Sequence, residues 1–342
     1  MNLDWQTFLE RQHALIQDGV LINFGDAQEE LLATQESTVL CDLSQFGILK
    51  ISGEDAQSFL QNMVSSDVRE VSPQQAQISS LNTSKGRMLA TFLIWQRDSD
   101  YYLQLPRDLC AATHKRLSMY ILRSKVKIEN ASDTVISLGL SGEGATSLLR
   151  QHFGSVPSKR FVVEQHDSAN VIQVDPERYQ INTTHHHAPA LWQNIISHAR
   201  AVGSSSWDWL NIRSGIPVIL ATTQEQFVPQ MANLELIGGV NFKKGCYPGQ
   251  EIVARMQYLG KSKRRMYLAH VKSMTQAGEQ LFSAEVEGQI CGMVCNASPA
   301  PGGGYDLLTV IQINSHDTQS VHIGSLEGEA LQFLPLPYEI PA

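Results

Sequence analysis

The sequence has 342 residues, of which 42% are hydrophobic and 18% are charged, values ordinary for a globular protein of two or three domains. Its formal net charge of −8 argues against a general nucleic-acid binder, because such a protein needs clustered phosphate contacts. No apolar run approaches the roughly 20 residues that span a bilayer, and the first residues lack the pattern of a signal peptide. We therefore expect a cytoplasmic protein that does not use a membrane.

The cysteines are few, scattered and odd in number: Cys41, Cys110, Cys246, Cys291 and Cys295. This usage does not suit a disulfide framework and is typical of a reducing compartment. A reactive cysteine in this chain must therefore be activated by its own surroundings.

Two similar strand, turn and helix units are predicted in the first half of the chain. In the first, the β-prone run FGILKI leads into a turn at Ser52 and Gly53 and then into a helix. The apolar face of that helix consists of Ala56, Phe59, Leu60 and Met63. The stretch KISGEDAQSFLQ (50–61) is echoed by GLSGEGATSLLR (139–150). We interpret the echo as two related α+β units, with chance similarity of two turns as the alternative.

A further helix is predicted to begin at Pro106. Its apolar side chains share one face: Cys110, Leu117, Tyr120 and Ile121. We interpret Cys110 as a small buried hydrophobic residue without a chemical role.

The stretch TTHHHAPALW contains three consecutive histidines, His185, His186 and His187. Neighbouring side chains point in different directions, and no second group of His, Asp or Glu has the spacing of metal ligands. A polar loop is therefore favoured over a metal site.

The stretch NFKKGCYPGQEIVAR (241–255) sets Cys246 next to Gly245, close to two lysines and ahead of a predicted helix. Pro248 suits the first helical turn, Glu251 complements the positive end of the helix, and Gly260 ends it. The apolar stripe of this helix is predicted to consist of Ile252, Val253, Met256 and Leu259.

Cys246 is then expected at the start of the helix, where free backbone N–H groups, the helix dipole and Lys243 and Lys244 favour a thiolate. Gly245 and Gly249 would permit tight turns and the close approach of a ligand or partner. The alternative is a glycine-rich connector that happens to contain a cysteine.

Positive charge is concentrated between residues 243 and 265, where Glu251 is the single acid and the segment carries +6. The seven cations are Lys243, Lys244, Arg255, Lys261, Lys263, Arg264 and Arg265. Such a patch on an acidic chain suits one anionic ligand or partner, and a solvated charged face is the alternative.

From Lys263 to the end, short alternating runs separated by glycine, proline and asparagine predict a compact β domain, a small barrel or sandwich. Cys291 and Cys295 lie four apart in one such run and would face the same side, so packing is favoured over cluster ligation. A transient cluster shared with a partner through Cys246 stays an open alternative.

The stretch KGCYPGQEIVAR resembles the signature of the YgfZ family of folate-binding proteins, which includes mitochondrial iron–sulfur assembly factors of similar sequence. The residues that carry the resemblance are Lys244, Gly245, Cys246, Tyr247, Gly249, Gln250, Glu251 and Arg255. Further matching stretches include DLSQFGILKISGEDAQSFLQNMVSSDV, LNTSKGRM (81–88), RSGIPVI (213–219) and FVPQMANLELIGGVNF.

The family is similar in fold to the glycine-cleavage T protein. The resemblance therefore implies an α+β protein with two ferredoxin-like domains and a C-terminal β-barrel, arranged as a ring around a central folate-binding channel. We expect domains at 1–134, at 135–262, which carries the motif, and at 263–342, with the first two exchanging segments.

Members of the family are implicated in maintaining iron–sulfur enzymes, including one that methylthiolates certain tRNAs. The resemblance thus implies folate (tetrahydrofolate or a derivative) as cofactor and iron–sulfur enzymes or assembly proteins as partners. The charge of the chain disfavours extensive direct contact with tRNA, so we expect tRNA only as an indirect partner. It also implies that Phe46 and Trp207 contact folate by aromatic stacking, with ordinary core packing as the alternative. Bacterial members more often have tryptophan where this chain has Phe46.

The catalytic aspartates of the T protein correspond to about Leu89 and Ala90 here. Without a carboxylate at these places, aminomethyl transfer by the same mechanism is not expected. Three hypotheses follow. The first, which we favour, is a non-enzymatic or weakly catalytic folate-dependent assembly factor that acts through the Cys246 thiolate, with the basic helix holding the folate tail or a partner. The others are a folate-dependent one-carbon or sulfur transferase with Cys246 as nucleophile, and a cysteine hydrolase. The hydrolase is disfavoured because no local histidine signature accompanies the cysteine.

Overall fold

The structure is a computed structural model that describes residues 1–260, 262–284, 289–318 and 320–341. Lys261 of the basic segment and the side chain of Leu259 lie outside the described part. The helices are α1 (Leu3–Arg11), α2 (Ala27–Glu36), α3 (Ala56–Gln61), α4 (Cys110–Ser118), α5 (Ala145–Phe153), α6 (Ala188–Ile196), α7 (Ser204–Arg213), α8 (Gln250–Leu259) and α9 (Ile313–Asp317).

The strands of the first half are β1 (Leu15–Gln17), β2 (Val20–Asn23), β3 (Val39–Asp42), β4 (Phe46–Ser52), β5 (Gln77–Asn82), β6 (Met88–Arg97), β7 (Asp100–Pro106), β8 (Lys127–Asn130) and β9 (Val135–Ser141). Those of the second half are β10 (Val163–Gln165), β11 (Ala169–Asp175), β12 (Arg178–Thr184), β13 (Arg200–Val202), β14 (Arg264–Val271), β15 (Gln280–Phe282), β16 (Ile290–Pro299), β17 (Tyr305–Gln312), β18 (His322–Ile323) and β19 (Gln332–Leu334). The α+β class predicted from the sequence is confirmed.

The chain forms two compact units, each assembled from separate segments. Unit 1 comprises Met1–Phe59, Arg69–Gln77 and Leu93–Trp207. Unit 2 comprises Leu60–Val68, Ile78–Phe92 and Asp208–Ala342. The domain boundaries at 134 and 262 stay a prediction, as do the ring and its central channel.

The sequence repeat has a structural counterpart within unit 1. Strand β4 lies between β7 and β8 and is antiparallel to both, and β9 lies between β12 and β3 in the same manner. A helix follows each central strand through a glycine with positive φ, +110° at Gly53 and +117° at Gly142. A Cβ at either glycine would overlap a backbone carbonyl oxygen, that of Lys125 or of Ser37. Shared pairing and shared turn geometry favour two related units over chance similarity.

The second of these sheets has the order β10-β11-β12-β9-β3-β13, with one parallel pair, β3 and β13. Alternate residues of each strand point to the same side of the sheet, and on one side these residues are apolar. This apolar face packs against α1, α5 and α6. The buried side chains of this core include Leu138, Leu140, Val171, Ile181, Trp5 and Trp192. The opposite face is polar and bears on function.

The β structure predicted for the C-terminal part is confirmed: it forms a curled antiparallel sheet of order β18-β15-β16-β17-β14-β19 within unit 2. Its core includes Cys291, while Cys295 lies at an irregularity of β16 between Val294 and Asn296. Both thiols are fully buried, in agreement with packing.

Helix α4 is shorter than the sequence predicted. It ends at Ser118, so Tyr120 lies beyond it and is 45% exposed, and Tyr120 does not extend the predicted apolar face.

Among the described residues, no helix has the length and apolarity needed to cross a bilayer.

We predict that Gly53→Ala and Gly142→Ala each lower the free energy of unfolding by about 2 kcal/mol or more, because both combine positive φ with a backbone overlap. Gly302→Ala is the matched control, since its Cβ would meet nothing within 4 Å and should change stability by less than about 0.5 kcal/mol. Urea denaturation measures all three variants. Equal small effects would contradict the shared turn geometry.

Candidate functional site around Cys246

Cys246 is the exposed cysteine of the chain; the other four are buried. It lies in the segment from Asn241 to Gly249 that leads into α8, which we call the Cys246 loop. This loop belongs to unit 2 throughout. Its accessibility separates this thiol from the others.

The Cys246 loop is attached to a remote part of unit 2 by the side chain of Lys244. The Nζ of Lys244 donates hydrogen bonds of 2.7 Å to the carbonyl oxygen of Val64 and 2.6 Å to that of Ser66. Lys244 is 6% exposed, so this ammonium is not presented to solvent. The electrostatic role expected for Lys244 toward an anionic ligand is therefore replaced by a structural one.

The residues that receive Lys244 are themselves fixed by buried serines. Ser65 Oγ donates to the carbonyl oxygen of Gly239 at 2.6 Å and accepts from the backbone N–H of Ser80 at 2.9 Å. Ser66 Oγ donates to Ser79 Oγ at 2.7 Å. The serine pairs in NMVSSDV and QISSLN thus form one hydrogen-bonded layer under the Cys246 loop.

Both flanks of Lys244 are also held. Asn241 Oδ1 accepts from the backbone N–H groups of Lys243 and Lys244 at 2.8 and 3.1 Å, and the N–H of Asn241 donates to the carbonyl of Ser65. Gln250 Nε2 donates to the carbonyl oxygen of Lys244 at 3.1 Å. An Asn side chain that bonds the backbone two residues onward is a common turn device, and here it shapes the entry to the loop.

The Cys246 loop ends where Gly249 meets the turn at 83–86. Gly249 has φ +81°, and a Cβ there would lie 2.5 Å from Cα and 2.6 Å from N of Gly86. The motifs LNTSKGRM and KGCYPGQE, remote in sequence, are therefore in backbone contact. The positive φ confirms the tight turn expected at Gly249, and the contact with Gly86 is a further reason for glycine there that the sequence did not predict.

Gly245 differs from Gly249. Its φ is not positive, and nothing described lies within 4 Å of a Cβ built on it. No turn of this structure requires glycine at this position, so the role expected for Gly245 in a tight turn is wrong. Close approach of a ligand or partner beside Cys246 stays a prediction.

Helix α8 begins later than expected. Gly249 is its N-cap and Gln250 its first residue, so Pro248 precedes the helix instead of opening it, and Cys246 lies three residues before the N-cap. Val253 is buried, but Ile252 is 39% exposed, so the predicted apolar stripe is narrower than expected. Glu251 and Arg255 lie on the exposed side.

The cationic patch is smaller than the sequence suggested. Arg265 is paired with Glu235 and also donates to the carbonyl of Gln230 at 2.8 Å. Burial raises the pKa of Glu235, and the Arg265 partner opposes this shift. Lys243, Arg255 and Lys263 are the exposed cations of the described part of this segment. Of the two lysines that precede Cys246 in the chain, Lys243 is solvent-exposed and Lys244 is buried.

Tyr247 points inward and is 6% exposed. The Nζ of Lys244 lies 5.2 Å from its ring centroid, within the range of a cation–π contact. Burial raises the pKa of its hydroxyl, which has no hydrogen-bond partner among the described residues. The side chains of Lys244 and Tyr247 thus anchor the loop on either side of Cys246.

Burial raises the pKa of the thiols of Cys110 and Cys291 to about 11 and that of Cys295 to about 12, so these three cysteines stay protonated near neutral pH. The histidines 185–187 form a turn between β12 and α6, as expected for a polar loop. Within the described ranges, no three His, Cys, Asp or Glu side chains are grouped as metal ligands.

The predicted folate residues Phe46 and Trp207 both lie in unit 1. Phe46 is half-buried and borders a cavity of about 20 Å³, which also touches Trp5, Asp42 and Ser137. This volume holds roughly one water molecule. Trp5 Nε1 donates to Asp42 Oδ2 at 2.7 Å, and burial raises the pKa of Asp42.

Trp207 is 3% exposed and covers the polar face of the sheet β10-β11-β12-β9-β3-β13. The guanidinium carbon of Arg178 lies 4.0 Å from its ring centroid, and the ring is so close to Gly139 that a Cβ there would overlap it. These contacts favour the packing alternative that the sequence analysis left open for Trp207.

The polar face contains amide side chains that the sequence analysis did not single out. Asn182 Nδ2 donates to Asn170 Oδ1, and Gln180 Nε2 donates to Asn182 Oδ1, both at 2.8 Å. Gln180 also donates to Gln104, and Ser137 Oγ donates to Asn182 Oδ1. The Nδ2 of Asn170 is buried without a partner among the described residues. The available signal was the alternation of Arg178, Gln180 and Asn182 along β12.

Leu89 and Ala90, which we expect at the places of the T-protein aspartates, are buried in β6. Gln224 Nε2 donates a hydrogen bond of 2.7 Å to the carbonyl oxygen of Leu89. The correspondence with the aspartates stays a prediction.

Comparisons with known proteins agree with these features. Residues 21–244 match the family model of the GCVT N-terminal domain. A curated protein from Colwellia psychrerythraea, tRNA-modifying protein YgfZ, is 34% identical over 238 residues, 69% of this chain and 72% of that protein. The chain belongs to the YgfZ family. The resemblance drawn from the KGCYPGQE motif is thereby confirmed.

The fold expectation for this YgfZ-family chain is confirmed as well. The glycine cleavage system aminomethyltransferase T from Bartonella henselae superposes with a TM-score of 0.80 over 98% of this chain and 97% of that protein, at 17% sequence identity. At that identity the likeness shows the fold alone.

We predict that brief treatment of the folded protein with iodoacetamide near pH 8 modifies one thiol, that of Cys246, because the other four are buried. Mass spectrometry should find a single adduct on the native chain, none on Cys246→Ala, and five on the denatured chain. Rapid modification of a second cysteine in the folded state would contradict the burial of that residue.

Gly249→Ala and Gly245→Ala form a second test. Gly249→Ala should lower the free energy of unfolding by about 2 kcal/mol, because its Cβ would overlap the turn at Gly86 in a backbone conformation that favours glycine. Gly245→Ala should change stability by less than about 0.5 kcal/mol. Urea denaturation compares the two, and a cost at Gly245 equal to that at Gly249 would refute the assignment.

Proposed function

We propose that this chain is a folate-binding protein needed for the assembly or maintenance of iron–sulfur enzymes, including enzymes that modify tRNA, and that it acts through Cys246. The proposal rests on the exposure of the Cys246 thiol to solvent. Cys246 is exposed on a loop held by Lys244 on one side and Gly249 on the other, whereas every other cysteine is buried. A fixed, accessible thiol serves as a ligand or nucleophile and contributes little to packing.

The tRNA part of the proposal rests on kinship. The Colwellia relative bears the name tRNA-modifying protein, and two thirds of this chain match it. A net charge of −8 and a basic segment with few exposed cations disfavour extensive contact with tRNA phosphates. We therefore assign the chain an indirect part in tRNA modification, through the iron–sulfur enzymes that carry it out.

The folate part is supported by the chemistry of the polar face in unit 1. The edge of a pterin ring presents neighbouring hydrogen-bond donors and acceptors, and amide side chains match such an edge. Asn170, Gln180 and Asn182 supply amides, and one buried N–H₂ of this group has no partner among the described residues. These residues would hold the pterin through hydrogen bonds. When bound, tetrahydrofolate supplies a carrier for one-carbon groups.

Phe46 and Trp207 have different parts in the proposed folate binding. The cavity beside Phe46 is too small for a pterin, and one face of Trp207 is covered by Arg178. We propose that Trp207 supports folate binding by holding Arg178 against the polar face, and that Phe46 borders the same layer through Ser137.

A folate-dependent transferase that uses Cys246 as nucleophile is the second candidate. The exposure of the thiol, and of Lys243 three residues before it in the chain, suits a nucleophile. Aminomethyl transfer by the mechanism of the T protein is disfavoured, because Leu89 and Ala90 cannot supply its carboxylates.

We predict that Trp207→Leu weakens tetrahydrofolate binding roughly tenfold or more, because Arg178 loses the ring that holds it against the polar face. Trp192→Leu is the matched control, because Trp192 is equally buried but lies in the apolar core on the other face of the sheet. Both changes should cost stability, and only the first should change affinity at a temperature where both chains are folded. Fluorescence titration measures the affinities, and equal affinity in both variants would refute the role of Trp207.

Incubation with tetrahydrofolate and a one-carbon donor separates the two candidate functions. Binding without turnover is expected for an assembly factor. Turnover that Cys246→Ala abolishes would instead establish the transferase.

A further inference from the structure

We infer that Lys244 is a positioning residue for Cys246: its buried ammonium fixes the backbone from which the thiol projects. This inference rests on the proposed function, because it takes Cys246 as the working group. It assigns Lys244 a task different from binding an anionic ligand.

The geometry of Lys244 is that of a clamp. Its Nζ makes two short hydrogen bonds, 2.7 and 2.6 Å, to carbonyl oxygens about 180 positions earlier in the chain, and the residue is 6% exposed. An ammonium removed from water is costly unless its N–H groups are bonded, so the side chain is committed to this place. A ligand would have to displace both carbonyls to reach it.

The receiving carbonyls belong to a rigid part of unit 2. The acceptors are the carbonyl oxygens of Val64 and Ser66, and Ser65 lies between these two residues. Ser65 is hydrogen-bonded to Ser80 and Gly239, and Ser66 to Ser79. Both serines are at most 1% exposed. Such a buried layer has few ways to relax. Lys244 therefore transfers the rigidity of this layer to the loop.

Lys244 lies close to Cys246 in the chain, so its clamp restricts the backbone that carries the thiol. Cys246 follows it by two residues, and Gly245 between them touches nothing within 4 Å of a built Cβ. The next attachments are the inward side chain of Tyr247 and the contact of Gly249 with Gly86. Without the clamp, the hydrogen bonds to Asn241 and Gln250 would still hold the backbone at residues 243 and 244.

The test removes the side chain and supplies it again as a small molecule. Lys244→Ala deletes the atoms of n-propylammonium, so the cavity left behind should accept that ion and let it donate to the same carbonyls. Tetramethylammonium carries the same charge without N–H donors and is the control ion. Lys243→Ala is the control variant for loop structure, since it removes an exposed neighbouring cation.

Hydrogen exchange of the amides at 245–250 is the readout. We expect Lys244→Ala to speed this exchange roughly tenfold or more, with little change in β5 and β14. Millimolar n-propylammonium should restore protection, tetramethylammonium should not, and Lys243→Ala should exchange like the native chain. Unchanged exchange in Lys244→Ala, equal loosening by Lys243→Ala, or equal rescue by both ions would each overturn the clamp.

Lys244→Met covers the case in which Lys244→Ala fails to fold. It keeps a side chain of similar length without donors, so the loop should loosen and n-propylammonium should have no effect. In cells that lack the chain, Lys244→Met should accumulate as soluble protein but lower the methylthiolated fraction of tRNA. Full methylthiolation with a loosened loop would contradict the inferred positioning. If Cys246→Ala itself kept methylthiolation, the proposed function would fail while the exchange experiment would still decide the clamp.

Discussion

The buried ammonium of Lys244 is the contact on which the Cys246 loop depends. A charge inside a protein has to be satisfied, and this one is satisfied by the carbonyl oxygens of Val64 and Ser66. The conformation of residues 64–66 is in turn held by serine hydroxyls that bond to β5. A chain of buried hydrogen bonds therefore runs from a sheet edge to the backbone beside an exposed thiol. The position of Cys246 therefore depends on hydrogen bonds to residues remote in sequence, and not on the glycine-rich loop alone.

The fold of this chain is retained at low sequence identity. The backbone superposes on that of an aminomethyltransferase with a TM-score of 0.80, yet at 17% identity. We expect Leu89 and Ala90, both buried, at the places of the catalytic aspartates of the T protein. The proposed function therefore rests on the accessible thiol in the Cys246 loop and on the amides of the polar face in unit 1. One scaffold can host different sites, because function is determined by a few side chains.

Local features of this structure could be predicted from sequence where backbone geometry leaves one choice of residue. Gly53 and Gly142 follow their strands with positive φ, and Gly249 is required by its contact with Gly86, so these glycines indicated real turns. Pro248 was misplaced by two residues because proline suits both the first turn of a helix and the segment before it. Gly245 shows the limit of the rule, since its φ does not require glycine.

Burial of polar groups is what the sequence did not reveal. Lys244 and Lys243 are chemically equal neighbours, and the choice of which is buried depends on carbonyls about 180 residues away. Along β12, alternate polar residues would ordinarily predict a solvated face, but Arg178, Gln180 and Asn182 are at most 2% exposed. Such burial depends on tertiary hydrogen bonds that no local pattern encodes.

The proposed role of the Cys246 thiol can be measured as the methylthiolated fraction of tRNA in cells that lack this chain. These cells are complemented with native protein or with Cys246→Ala at equal soluble levels. We expect native protein to restore methylthiolation and Cys246→Ala not to restore it. Equal restoration by both proteins would show that Cys246 is not the group through which the chain acts.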